Sequence, residues 1–519
     1  MDRHDCDYLF YEKEGKKVEK IDDVGKSGYA SRYGMICILI SGSVGTGNMW
    51  RYPRLAAQYG GAFVIATVIG LLLIAIPLCM NENFMGRASR HSAPGAFRDL
   101  LGPELTWMGT FATACYFLMH CNYTVILSWC VRYTFMSAGG TYFGVEDKMA
   151  LFNSVASKDL FTGICWVGII FLAWFFASRQ SALEKVSKFF VPAMLCILII
   201  MIGFATTREG GSEGLKYAYS FKLSDLVDAN IWLQAITQDF WSLGSGTMLC
   251  VTMAKFARKD EDIVVNTKIQ AFSDAGFSQL ATLAVLPCIF SFAASPAAAV
   301  ELAKSGNNGL TFVGLCNLFE NVGGGRILGT LFFLCLTFAA FSSVCVASTV
   351  FAGPLIDCGM KRTKAIAVVL IGQLLFAIPC FISQDYLSNQ DTVWGFGIFI
   401  GGTFSGYFAF KYGAKKIVSM INSVSDRKLS KPIVYMLTIS PFVTAFILIV
   451  WLVQSIGWDS QWYNPFRPSS FMTLILQWAV VLTIALLINK KVNKKTIGVF
   501  YDKNSDEFPE VPDEVMNQM

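Results

Sequence analysis

Apolar stretches close to the thickness of a bilayer recur along this chain, and no other feature constrains its fold as strongly. A helix needs about 20 consecutive apolar residues to cross the hydrocarbon core. Runs near that length occupy 63–77, 160–176, 189–205, 277–294, 327–356, 365–382, 393–410, 433–453 and 471–488. Three more, around 33–55, 107–137 and 231–254, are interrupted. Only helices or closed barrels satisfy their backbone in lipid, and runs of this length predict an all-α integral membrane protein with about twelve transmembrane helices. Composition agrees, because only 15% of the residues are charged, against about 25% in soluble domains. No stretch remains for a separate soluble domain. The polar stretch before the first apolar run is about thirty residues long and too acidic for the n-region of a signal peptide.

Lys and Arg concentrate in alternate loops: Arg87, Arg90 and Arg98; Arg179, Lys185 and Lys188; Lys255, Arg258, Lys259 and Lys268; Lys361, Arg362 and Lys364; and Lys411 to Lys431. The segment NKKVNKK near the C-terminus belongs to the same set. The positive-inside bias therefore predicts that both termini are cytoplasmic, and it accounts for the net charge of +5 without a nucleic-acid partner. The fifteen Cys lie mostly in apolar runs without a CxxC pair, as buried free thiols do. The three His (His4, His91, His120) make no metal-ligand spacing, and no nucleophile elbow, phosphate loop or dinucleotide fingerprint occurs. The chain is not expected to be an enzyme.

Two interruptions carry the functional signal. SGSVGTGNMWRYP (41–53) places Gly42, Gly45 and Gly47 inside an apolar run, and QDFWSLGSGTM (238–248) repeats the pattern with Gly244 and Gly246. Each Gly weakens a helix interior by roughly 1 kcal/mol relative to Ala, so both backbones should open at mid-depth. One alternative is close helix packing through small residues. Two breaks at the heads of two five-helix halves instead match an inverted-repeat transporter, whose unwound carbonyls bind cations and whose half-helix N-termini hold a carboxylate.

GSVGTGNMWRYP, followed by GGAF and IPLCMNENFMGR, resembles the start of the neurotransmitter:sodium symporter family. The similarity continues in NYTVILSW (122–129), QDFWSLGSG, RKDEDIV (258–264) and AAFSSV (339–344), and it spans about 26–490. Short outer loops, with no Cys pair or glycosylation acceptor in 137–159, are similar to the prokaryotic branch and point to the cell membrane of a bacterium. The resemblance implies a leucine-transporter-type five-plus-five inverted repeat with discontinuous first and sixth helices. It divides the chain into an N-terminal cytoplasmic segment (1–28), a transporter domain (29–490) and a cytoplasmic tail (491–519). Within the transporter domain, the repeats cover about 29–206 and 229–411, and the last two helices about 432–489.

The resemblance also implies two sodium ions, for which oxygen ligands are suited. The first would take Ser43, Asn48, Ser242 and Asp274 together with the substrate carboxylate. The second would take Ser41, Val44, Ala339, Ser342 and Ser343; back-bonding to the helix is the alternative fate of the two serine hydroxyls. Ser43, Gly45, Gly47, Met119, Tyr123, Trp241, Ser242, Gly244, Thr247, Ser343 and Ala347 would line the substrate site. Tyr123 would donate to the substrate carboxylate, and Trp241 would form the lid. Arg51 with Asp391 would close the outer gate, although alignment on Trp394 puts Thr392 at the acidic position. Lys26, Tyr29, Phe256 and Asp357 would form the inner gate. Glu82 would accept hydrogen bonds from unwound backbone, and Ala182 replaces the glycine that helps relatives unwind near Pro192.

Asp274 stands where relatives carry an amide, and Thr67 where chloride-binding relatives carry a tyrosine, although Ser278 is retained. A buried carboxylate needs a partner; Lys268, six positions away, is the alternative to sodium. Two cations, one substrate carboxylate and Asp274 sum to zero, so no chloride is expected. Gly45 replaces the aspartate of amine-transporting relatives, which points to an α-amino acid. Thr247 and Ala347 are small for the family, which implies a large hydrophobic or aromatic side chain. The expected function is sodium-coupled amino-acid uptake by alternating access. The alternatives are an amino-acid sensor or sodium-gated channel on the same fold, or a symporter for small neutral amino acids.

Overall fold

The computed structural model describes residues 31–257, 261–304, 306, 308–498 and 508. The transmembrane body consists of α1 (Arg32–Ser43), α2 (Tyr52–Gly70), α3 (Ile76–Ser89), α4 (Thr106–Gly139), α5 (Leu160–Ala177), α6 (Gln180–Thr206), α7 (Ala229–Leu243), α8 (Leu249–Ala254), α9 (Ile263–Phe292), α10 (Gly325–Asp357), α11 (Arg362–Ile382), α12 (Gln384–Tyr412), α13 (Lys431–Ser455) and α14 (Phe471–Lys495). Ten stretches among the described residues are long and apolar enough to cross a membrane. The first, Gly47–Ser89, holds two legs, because α2 folds back at Gly60. Gly60 sits at φ +63°, and a Cβ on Gly61 would lie 2.5 Å from the Tyr219 carbonyl oxygen. Only glycine allows both this conformation and this approach. The outer leg of α2 completes the pass begun by α1, while α7 and α8 together make a further interrupted pass. The expected architecture of broken first and sixth passes is therefore present.

Helix burial separates an inner bundle from an outer ring. The most apolar window of α10 is 72% buried, against 28% for α6 and α13 and 22% for α14. Phe171, Phe446 and Leu487, each more than half exposed on α5, α13 and α14, present apolar surface suited to lipid. The inner helices carry the buried polar residues instead, so chemistry collects around the two breaks. Pro192 lies within a continuous α6, so the helix is not unwound there.

Candidate functional site

At the first break α1 ends on Ser43, Val44 turns extended, and a π-turn over Gly47–Arg51 leads into α2. The backbone N–H of Thr46 donates to the Tyr123 hydroxyl at 3.0 Å, and that of Gly45 to Asn48 Oδ1 at 2.8 Å. A Cβ on Gly45 would stand 2.8 Å from the Tyr123 hydroxyl. Any side chain at 45 would thus displace the phenol from the break.

The second break is built from left-handed residues: Gly244 at φ +78°, Gly246 at +82° and Met248 at +62°. Gly246 could not carry a Cβ, which would lie 2.5 Å from both the Gly402 nitrogen and the Ile398 oxygen. Its N–H donates to Glu82 Oε1 at 2.7 Å, so a fully buried carboxylate supplies the acceptor that the unwound helix lacks. The Thr247 hydroxyl donates to the Gly244 carbonyl and accepts from the Leu249 N–H, which ties it to the break.

Between the breaks, four oxygens surround one nitrogen. Asn48 Nδ2 lies 2.7 Å from Ser242 Oγ, 2.8 Å from Asp274 Oδ1, 3.2 Å from the Asp274 carbonyl and 2.9 Å from Ser278 Oγ. Ser242 donates to Asp274 Oδ1 at 2.9 Å. These groups come from α7, α9 and the segment after α1, and Asn48 and Asp274 are 226 positions apart in the chain. Asp274 makes no ion pair with Lys268 among the described residues, so that alternative falls. Ser43 sits beside the cluster with its hydroxyl occupied: Gln270 Nε2 donates to it at 2.7 Å, and it donates to the Leu39 carbonyl at 3.1 Å. Gln270 carries no sequence signal, since only the packing of α9 on α1 brings it there.

The second expected set lies on the packed α1 and α10. Ser342 Oγ bonds back to the Ala339 carbonyl at 3.1 Å, while Ser41 Oγ is buried without a hydrogen-bond partner among the described residues. Met119, Ser343 and Ala347 are buried on the facing α4 and α10. His120, which has no spacing signal in the sequence, adds an imidazole beside them. Its ring packs 5.1 Å from Tyr123, 4.7 Å from Tyr116 and 5.5 Å from Phe351.

At the expected outer gate Arg51 and Asp391 do not form the expected ion pair. Arg51 donates to Gln238 Oε1 at 2.7 Å and Gln234 Oε1 at 3.4 Å, and its guanidinium lies 5.5 Å from the Trp241 ring centroid. Asp391 accepts from Asn122 at 3.5 Å. Thr392 points elsewhere, donating to the Ser388 carbonyl and accepting from Ser469. Neither of the two acidic-register candidates bonds to Arg51 among the described residues.

At the expected inner gate Asp357 pairs with Lys255 Nζ at 2.8 Å, with both side chains 1% exposed, and it accepts from the Ser92 backbone N–H at 2.7 Å. The lysine also lies 4.8 Å from the Phe256 ring centroid. Lys255 was counted only as a loop charge in the sequence, yet it is the cation that reaches the gate acid. Lys26 and Tyr29 lie outside the described residues.

A model of the Sodium:neurotransmitter symporter family matches residues 26–142 and 158–496. The chain belongs to that family. It is 28% identical over 436 residues to an uncharacterized sodium-dependent transporter of Methanocaldococcus jannaschii, a match covering 78% of this chain and 86% of that protein. It is 27% identical over 259 residues to the sodium- and chloride-dependent transporter XTRP3 of Homo sapiens, with 44% of each covered. The crystal structure of MhsT in complex with L-phenylalanine is similar in fold, with a TM-score of 0.72 at 23% identity over 82% of this chain and 99% of that one. This symporter-family member is accordingly a multi-pass membrane protein that performs sodium-dependent transport, and it is not an enzyme.

Proposed function

We propose that the chain imports an α-amino acid with a large hydrophobic or aromatic side chain, driven by two sodium ions and independently of chloride. The observation that carries this reading is the convergence of Ser242 Oγ, both kinds of Asp274 oxygen and Ser278 Oγ on Asn48. An amide turned over would add its own oxygen to the set, giving a hard-oxygen environment that suits sodium. Ser43, Asn48, Ser242 and Asp274 would hold one ion. Ser41, Val44, Ala339, Ser342 and Ser343 would hold the other, and the unpartnered Ser41 hydroxyl supports a polar ligand there.

The substrate carboxylate would replace the Tyr123 hydroxyl as acceptor for the Thr46 N–H, freeing the phenol to donate. With Gly45 supplying no anion, an amine without a carboxylate would leave the sodium short of one ligand. Buried Ala347 and the back-bonded Thr247 leave the side-chain subsite apolar, which supports a hydrophobic substrate; the phenylalanine bound to MhsT agrees. Chloride independence rests on Asp274 and sets this chain apart from what the XTRP3 name describes. Both termini would face the cytoplasm from the cell membrane, with the repeats bounded as the sequence implies.

The test is uptake into proteoliposomes, with Gly, Ala, Leu and Trp competing and gluconate replacing chloride. Saturable uptake that stops when the sodium gradient is collapsed separates a symporter from a sensor or a channel. Strongest competition by Gly would overturn the large-pocket reading, and loss of uptake in gluconate would overturn chloride independence.

A further inference from the structure

A buried imidazole stands beside the substrate site with nothing to bond to. His120 on α4 is 3% exposed, and its Nδ1 is buried without a hydrogen-bond partner among the described residues. Aromatic rings enclose it instead: Tyr116 at 4.7 Å, Tyr123 at 5.1 Å and Phe351 of α10 at 5.5 Å, each in edge-to-face contact. Tyr116 and Phe351 also meet each other at 5.0 Å. The Tyr123 hydroxyl is turned to the first break, where it takes the Thr46 N–H at 3.0 Å.

Helix periodicity relates this imidazole to the substrate. Tyr116, Met119, His120 and Tyr123 follow the spacing of a single helix face, so His120 shares its stripe of α4 with two residues of the substrate site. On α10, Ala347 and Phe351 are one turn apart on a common face. The two helices pack along each other. The short Ala347 side chain leaves room between these stripes, and His120 stands on the wall of that room. A charged ring would need a buried anion, and none bonds to His120 among the described residues, so the ring is neutral, with one nitrogen donating and the other accepting. A buried polar group left unbonded costs free energy that a ligand can recover. Phenylalanine and leucine bring no polar atom to the end of the side chain. A phenol brings an O–H that can donate or accept, so it suits Nδ1 in either tautomer. We propose that His120 is a specificity-determining residue that selects an aromatic substrate carrying a terminal phenol, L-tyrosine over L-phenylalanine. The phenol bonds to the imidazole, and the surrounding aromatic rings receive the substrate ring.

This inference rests on the large hydrophobic or aromatic subsite proposed above, and the experiment separates the two. Sodium-dependent binding of labelled leucine to the full-length protein in detergent is competed with Tyr, Phe and Gly. The wild type should favour Tyr over Phe roughly tenfold, as one hydrogen bond to an otherwise unbonded buried group provides. In each variant the readout is the ratio of Tyr to Phe affinity, which a general loss of packing lowers on both sides alike. In His120→Phe that ratio should fall to about one, because no polar partner for the phenol remains; His120→Leu serves if that variant fails to fold. Equal competition by Tyr and Phe in the wild type, or an unchanged ratio in the apolar variants, would overturn the inference. Stronger competition by Gly than by Phe would instead bring down the large-subsite reading, and this inference with it.

Discussion

Removing the Glu82 carboxylate should impair binding through the backbone it supports. Glu82 Oε1 accepts the Gly246 N–H at 2.7 Å, and the residue is fully buried. At φ +82° Gly246 lies outside regular helix, and its neighbours Gly402 and Ile398 leave no room for a Cβ there. In Glu82→Ala the N–H is stranded in a dry site, which costs about 1–3 kcal/mol. At about 1.4 kcal/mol per factor of ten, the binding-competent form loses roughly 5- to 150-fold. Glu82→Gln keeps an oxygen in the same place and loses only the charge assistance, about 1 kcal/mol, or roughly fivefold. Sodium-dependent binding of labelled leucine to purified protein, with a thermal melt alongside, should rank wild type above Gln and Gln above Ala. An Ala variant within twofold of wild type, or a Gln variant worse than Ala, would refute this account of the carboxylate.

Three further outcomes can be measured. Asp274→Asn removes the charge that accepts from Asn48 and Ser242, and uptake should either vanish or become chloride-dependent; full chloride-insensitive uptake would place Asp274 outside the site. Lys255→Met strips the buried cation from Asp357, and because breaking a buried pair typically costs about 3–5 kcal/mol, the melting temperature should drop clearly, whereas Lys255→Met with Asp357→Asn should recover much of that loss. Gly395→Ala places a Cβ 2.0 Å from the Trp241 indole, so the lid must shift; competition assays should show weakened affinity for Trp more than for Ala, and an unchanged selectivity profile would show that Trp241 does not cap the substrate.

Much of the architecture was legible because it depends on local chemistry. Apolar runs of bilayer length and glycines in the middle of two helices act within a few residues of one another, so they show in the linear chain. The helix ends at Ser43 and Leu243 fall where those glycines begin to weaken the ladder. Asn48, Ser242 and Asp274 were reachable through motifs that mark the family.

Packing decided the partners. Gln270 on Ser43, Lys255 on Asp357 and Gln238 on Arg51 join residues 227, 102 and 187 positions apart, and in sequence each reads as an ordinary polar residue. Asp239 carries no signal of its own in the sequence, and only the packing of α2 against α7 sets its carboxylate against Gly70. Which groups meet, and which are left alone, depends on how helices distant in the chain are rotated against each other. No local pattern of residues encodes that rotation, because it is set by the sum of many side-chain contacts across the whole bundle.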